Sequence, residues 1–319
     1  TSTIVRYTFT YNGEVKGTQE TEVAISAQFP EITKAFPMGV VATKPAGVVS
    51  EEYNEQTIVL TVDNSKLPFV AAADYNSIEH WYYMNIRDDG PTYMYYDSSI
   101  SYIKADKSAI DKKNKDIYSW AFIGNPWDGF SIVNKAAGAT MVLSSPVVPN
   151  ENTNADQVAR MVVKQGAAGN LVWTIMNPTH DNAPAGSFYV QHPTASDWAI
   201  NRQGFNGGNA LCYWNNRDTG SSFQIVERQM GALADLEDLL TDANALLTTV
   251  NDNIGTEIGE YTQATADALT AAINTANGIV EAENATADDV ANLQAAMDAV
   301  KYILPTVGQY YQIHSSLAA

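Results

Sequence analysis

The chain has 319 residues, of which 45% are hydrophobic and 17% charged, so it is long enough for two or three globular domains and too apolar for a disordered chain. Its net charge of −18 gives no electrostatic footprint for nucleic acid, so we expect no nucleic-acid partner, and no apolar run reaches the roughly 18 residues of a membrane span. The one cysteine, Cys212, excludes an intrachain disulfide, and we expect it to be a small buried side chain.

The first 67 residues predict a small all-β domain. Apolar residues alternate with polar ones in three runs: Val5, Tyr7, Phe9 and Tyr11; Val23 and Ile25; and Ile58, Leu60 and Val62. The first run leads into Asn12-Gly13, a dipeptide that favours a type I′ hairpin turn. Residues 1–67 carry no chemical motif, so we expect an Ig-like or connector domain.

The middle of the chain contains a threefold repeat. Three segments open its units: Tyr82-Tyr83-Met84-Asn85, Phe130-Ser131-Ile132-Val133-Asn134 and Phe188-Tyr189-Val190-Gln191. Three aromatic-x-apolar strands close them: Trp120-Ala121-Phe122, Trp173-Thr174-Ile175 and Phe223-Gln224-Ile225. Alternation places the aromatic and apolar residues of each strand on one face, so the pattern predicts a closed barrel in which three copies share a core.

This region resembles a ricin-type β-trefoil of exported Bacteroidetes proteins, most closely at residues 130–138, and the resemblance covers residues 68–228. It implies carbohydrate binding through a Gln-x-Trp motif in each repeat. Tyr118, Leu171 and Ser221 stand where the glutamines would be. This departure leaves the predicted fold unchanged but argues against sugar binding at each repeat.

The third repeat offers the best candidate sugar site. A sugar ring needs a flat apolar face, with carboxylates or amides for its hydroxyls. Trp214 is the candidate platform, with Asn216 and either Asp218 or Asp197 as hydrogen-bond partners and Trp198 beside them. The alternative is that these aromatic residues pack in the barrel.

Other patterns point away from catalysis. Trp127 lies in a turn between repeats and is a second, weaker candidate for a sugar platform. Asp88-Asp89 suits a turn, the segment 204–208 lacks the Lys-Ser/Thr of a nucleotide loop, and the four histidines show no metal spacing. We therefore expect no catalytic residues, no metal and no cofactor in this region. An enzyme site assembled across domain boundaries is the remaining alternative.

Residues 229–304 predict an all-α three-helix bundle. Three apolar seams carry the helical period: Leu233, Leu236, Leu240, Leu247 and Val250; Ala266, Leu269, Ile273, Ala276 and Val280; Val290, Leu293, Met297, Val300 and Leu304. Thr286 and Asp289 have capping-box spacing at the start of the third helix. Thirteen acidic residues against Lys301 alone indicate a solvated outer face.

The bundle resembles the FIVAR modules of bacterial surface proteins, which implies a spacer. Residues 305–319 read as the start of a further β module, with Gln309 to His314 as its opening strand. The expected organisation is therefore multidomain, and we expect the parent protein to continue beyond this region. Its catalytic part, such as a glycoside hydrolase domain, would lie in those further domains.

The leading functional prediction is a non-catalytic carbohydrate-binding or targeting region of a secreted or cell-surface protein, with a glycan as partner and no membrane span. The competing prediction is a structural spacer or protein-interaction stalk that binds no sugar.

Overall fold

The computed structural model contains two compact units, Thr1–Arg228 and Gln229–Ala319. The first is built mostly of β-strands and the second of α-helices. The structure describes residues 1–51, 54–87, 90, 92–100, 102–145, 147–149, 159–163, 172–202, 209–215 and 218–309. Asp88-Asp89, residues 204–208 and the segment 310–319 lie outside the described residues.

The first two strands form the predicted hairpin. β1 (Ser2–Tyr11) pairs antiparallel with β2 (Glu14–Ala24). Asn12 and Gly13 join the strands with φ values of 50° and 80°. A type I′ turn requires positive φ at both central residues, which Asn and Gly adopt most readily, so the sequence prediction is confirmed.

A small sheet and a second strand pair complete the N-terminal part. β1 also pairs in parallel with β4 (Glu55–Val59), whereas β3 (Val40–Val41) pairs antiparallel with β5 (Thr61–Val62). One face of the sheet is buried, and its core is formed by Val5, Tyr7, Phe9, Phe29, Val49, Ile58 and Leu60. The alternation seen in the sequence therefore marks the inward face of these strands.

Twelve strands follow in the described part of residues 82–227. The first four are β6 (Tyr82–Ile86), β7 (Thr92–Tyr95), β8 (Lys104–Lys107) and β9 (Ser119–Asn125). The next four are β10 (Gly129–Asn134), β11 (Met141–Ser144), β12 (Arg160–Val163) and β13 (Thr174–Met176). The last four are β14 (Tyr189–Gln191), β15 (Trp198–Arg202), β16 (Leu211–Asn215) and β17 (Phe223–Glu227).

Six of these strands close a ring. β9 pairs with β6 and β10, β14 pairs with β13, and β17 pairs with β6. Bridges Phe130–Trp173 and Phe188–Phe223 join the remaining neighbours. The other six form three hairpins, β7–β8, β11–β12 and β15–β16. Each predicted repeat thus supplies two ring strands and one hairpin.

The ring encloses the main core. Trp120, Trp173 and Phe223, which begin the three closing segments, are at most 1% exposed. The indole Nε1–H groups of Trp120 and Trp173 donate to the backbone oxygens of Met94 and Leu143, both at 3.1 Å. The same hydrogen bond in two repeats shows that residues at equivalent sequence positions pack in the same way.

The segment before the first repeat fills the centre of this core. The ring of Phe69 stacks on Phe122 at 3.7 Å between centroids and contacts Phe130 and Phe188 edge-on. Met38 belongs to the same core, and its N–H donates to Ile175 O at 2.8 Å. Residues of the N-terminal part are thus built into the barrel core, and the division at residue 67 stays a prediction.

The C-terminal unit contains three helices, α1 (Ala232–Asn251), α2 (Gln263–Glu281) and α3 (Ala287–Asp298). Their buried residues are Leu236, Leu239, Leu240, Ala243, Val250, Ala266, Leu269, Ile273, Ala276, Leu293 and Met297. Thr286 and Asp289 form the predicted capping box, with Asp replacing the usual Glu. The three predicted helices are thus present, and most of the predicted seam residues lie in their shared core.

The predicted end of the third helix was wrong. α3 ends at Asp298, and Leu304, assigned to its seam, is 63% exposed. The backbone of Ile303 instead bonds to Glu260 and Gly259, and Pro305 disfavours helical geometry at the residue before it. The last apolar residues of the period therefore lie outside the helix.

Candidate functional site

The hairpin β15–β16 carries the candidate aromatic residues of the third repeat. Trp198 pairs with Asn215, and Ala199 pairs with Trp214. Directly paired residues share a face of a β-ribbon, and successive residues alternate between faces. Trp198 and Trp214 therefore lie on opposite faces of the hairpin and do not form one aromatic surface.

The face that carries Trp198 is turned to the barrel core. Ile200, Leu211 and Tyr213 on this face are fully buried, and Trp198 is half-buried against the same core. Burial raises the pKa of Tyr213 to about 12. Trp198 therefore packs partly against the barrel core.

The opposite face exposes Trp214. Its side chain is 37% exposed, whereas Ala199, on the same face, is buried. Cys212 is also buried on this face, and burial raises the pKa of its thiol to about 12. The hairpin thus presents an aromatic ring to solvent on a well-packed base.

The acidic candidates differ in their environment. Asp197, just before β15, is exposed. Asp218 caps a short 3-10 helix, where its Oδ1 accepts from Gly220 N at 2.6 Å and from Asn201 Nδ2 at 3.5 Å. Asn216 lies outside the described residues. Asp197 therefore has the more accessible carboxylate, whereas the carboxylate of Asp218 caps the short helix.

Other side chains occupy the expected glutamine positions. Ser221 is fully buried, and its Oγ accepts from Asn201 Nδ2 at 3.1 Å. Tyr118 is also buried, and Leu171 lies outside the described residues. In the third repeat, Asn201, Asp218 and Ser221 therefore form an internal polar network.

His192 has a structural role in the same repeat. Its Nδ1 accepts from the backbone N–H of Ala195 at 3.1 Å and of Thr194 at 3.3 Å. Asn134 accepts from two N–H groups in the same way at the equivalent position of the second repeat. Burial lowers the pKa of His192, consistent with an imidazole that acts as an acceptor.

A cluster in the first repeat was not identified from the sequence. Asp106 is the extra residue of a β-bulge between β7 and β8, and its carboxylate hydrogen-bonds to Tyr95. Burial and this carboxylate raise the pKa of Tyr95 to about 12. Lys107 Nζ lies 5.6 Å from the Tyr95 ring. Because a bulge breaks the alternation of the strand, the two-residue period of the sequence does not predict the contact between Asp106 and Tyr95.

The second candidate platform, Trp127, packs inside the first unit. Its ring stacks on Tyr11 at 4.8 Å between centroids, and Lys16 Nζ lies 5.4 Å from the indole. The indole is half-buried in the N-terminal core. Trp127 therefore joins the N-terminal sheet to the repeat region rather than offering a free face.

Neither a group of metal ligands nor a membrane-spanning helix is present among the described residues. No three His, Cys, Asp or Glu side chains are grouped there as metal ligands. None of the described helices combines the length and apolar character needed to cross a bilayer.

Comparison with known proteins shows similarity in structure only. No family model matches the chain, and no curated protein matches it. A GlcNAcα1-4Gal-releasing endo-β-galactosidase from Clostridium perfringens is 16% identical over 47% of this chain and 33% of that one, with a TM-score of 0.36. The designed 3-fold symmetric protein ThreeFoil is 13% identical over 46% of this chain and 97% of that one, with a TM-score of 0.30.

A mosquitocidal holotoxin is 13% identical over 60% of this chain and 20% of the toxin, with a TM-score of 0.35. The matched region thus spans one third or less of the galactosidase and toxin chains. Structural neighbours of this mostly β chain include a glycan-active enzyme, a toxin and a threefold design.

Proposed function

We propose that residues 68–228 form a ricin-type β-trefoil that binds carbohydrate without catalysis. In this proposal the region belongs to a larger secreted or cell-surface protein, in which it holds further domains close to a glycan. The helical unit serves as a FIVAR-like spacer.

The exposed ring of Trp214 carries the proposal. Trp214 is 37% exposed on the hairpin, and sugar rings stack their C–H faces on flat aromatic surfaces of this kind. Trp214 lies on a paired strand, with buried Ala199 and Cys212 on the same face of the hairpin, so its backbone is ordered without a ligand.

One candidate hydrogen-bonding residue, Asp197, lies at the same end of the hairpin as Trp214. Asp197 precedes Trp198, which pairs with Asn215, next to Trp214 in sequence. An exposed carboxylate accepts hydrogen bonds from the hydroxyls of a neutral sugar. One flat ring with one carboxylate predicts weak binding per site, so tethered copies would be needed for avidity.

Glycan-array screening of the whole chain, followed by calorimetry on any ligand found, tests the proposal. We expect Trp214→Ala to weaken Kd about tenfold or more, or about 1.4 kcal/mol, and Trp214→Phe to lose less because it keeps a ring. Tyr302→Ala is the matched control, since Tyr302 is an aromatic residue 53% exposed in the helical unit. Absence of any glycan ligand, or equal binding by Trp214→Ala, would overturn the proposal.

A spacer without sugar binding is the second candidate. The engagement of Asp218 and Ser221 in an internal network favours it, because neither is then free to bind hydroxyls. Absence of binding to every glycan on the array, with the fold intact by circular dichroism, would support this function.

A further inference from the structure

A cavity of about 290 Å³ lies beside the barrel, away from the hairpin that carries Trp214. The chain runs along the barrel as residues 70–73, turns, and returns as residues 77–80 before entering β6. The cavity lies between these two legs. Its walls include Ala71, Ala72, Ala73, Ile78, Ala121 and Phe122.

The cavity exists because strand β9 changes partner at this point. β9 pairs with β6 at Trp120, whereas three residues further on, at Ile123, Ala72 is its neighbour. Ala72 N–H donates to Phe122 O at 2.8 Å, and Gly124 N–H donates to Ala72 O at 3.1 Å. Alanine side chains at this junction are too small to fill the space that the change of partner opens.

Both legs are fixed by hydrogen bonds. Asp74 and Ser77 form a reciprocal capping box in the turn between them. Tyr82 Oη accepts from Val70 N–H at 2.8 Å at the base of the first leg. The cavity is therefore part of a built loop, so a ligand would meet a largely pre-formed site.

His80 gives the cavity an oriented polar group. Its Nδ1 lies 2.5 Å from Glu227 Oε1, and the imidazole is 35% exposed. A carboxylate that holds one ring nitrogen sets the orientation of the other, so Nε2 is the nitrogen left for a ligand. Glu79 also lines the cavity.

These features select a ligand class. Glu79 and Glu227 place negative charge beside the cavity, which disfavours phosphates, sulfates and acidic sugars. A hydroxyl can donate to or accept from Nε2, and so it pairs with either protonation form of the imidazole. The alanine walls suit the C–H groups of a small saturated ring.

We propose that this cavity is a binding site for a neutral, polyhydroxylated ring such as a single uncharged sugar unit. The ligand class rests on the proposed carbohydrate-binding function, but the site is separate from Trp214. It would give the unit two different contacts to glycan.

NMR of the His80 ring in the whole chain tests the site, with titration by glucose, galactose, N-acetylglucosamine and glucose-6-phosphate. We expect saturable shifts with at least one neutral sugar and none with the phosphate. Ala73→Leu should weaken this binding at least tenfold, because Ala73 is exposed at the cavity wall and a larger side chain there fills the space. Ala245→Leu, on the exposed surface of α1, is the matched control and should change nothing.

The proposals for the cavity and for Trp214 can be refuted independently of each other. Persistence of the His80 shifts in Trp214→Ala would establish the cavity even if the hairpin binds no glycan. Shifts that are absent with all three neutral sugars, or that survive Ala73→Leu unchanged, would overturn the cavity proposal and leave the test of Trp214 unaffected.

Discussion

Truncating Phe69 tests whether the segment before the repeats completes the barrel core. Its ring is 4% exposed and contacts Phe122, Phe130 and Phe188, which come from all three repeats. Phe→Ala substitutions in packed cores cost about 3–5 kcal/mol, since apolar contact is lost and a cavity remains. We expect Phe69→Ala to cost this much, and Phe69→Leu to cost less.

Tryptophan fluorescence measures this effect in the right unit, because all six tryptophans lie within Thr1–Arg228. With a urea m-value of about 3 kcal/mol/M, the midpoint of the fluorescence transition should fall by about 1 to 1.7 M. Val70→Ala is the control, since Val70 is 55% exposed, and its effect should stay within about 0.5 kcal/mol. A Phe69→Ala midpoint equal to that of the control would refute the assignment of Phe69 to the barrel core.

Two further predictions concern local structure. Burial lowers the pKa of His192, so its contribution to stability is present above its unfolded pKa near 6.5 and is lost as the pH falls toward the folded pKa. His192→Asn, which copies Asn134, should keep the fold and flatten the decline of the urea midpoint below about pH 6.5; an unchanged slope would contradict this role. Thr286→Ala removes the cap of α3 and should lower the free energy of unfolding, followed by circular dichroism, by about 1 kcal/mol. The pKa of Asp289, held low by hydrogen bonds from Thr286, should rise in an NMR titration; a stability loss without that rise would argue against the capping box.

Features that depend on neighbouring residues were predictable from the sequence. Asn12-Gly13 turns the first hairpin because the two residues tolerate positive φ, and Thr286 begins α3 because its hydroxyl satisfies a free backbone N–H. Strand and helix periods likewise identified the inward residues of the sheet, the ring and the bundle.

The candidate site was only partly predictable. The sequence placed Trp198 and Trp214 in the third repeat, but it did not give the strand pairing that decides the faces on which they lie. The register of the two strands places them on opposite faces, and the packing of the hairpin on the barrel turns Trp198 to the core and Trp214 to solvent. The bulge at Asp106 likewise has no sequence signature.

The sequence by itself thus determined the local elements of this protein: the Asn12-Gly13 hairpin, the threefold set of strands, and the three helices with the cap of α3 at Thr286. The tertiary structure alone decided which distant residues meet, because those contacts depend on how strands close into a ring. Phe69 at the barrel centre, Trp127 against Tyr11, and the cavity beside His80 all arise in this way.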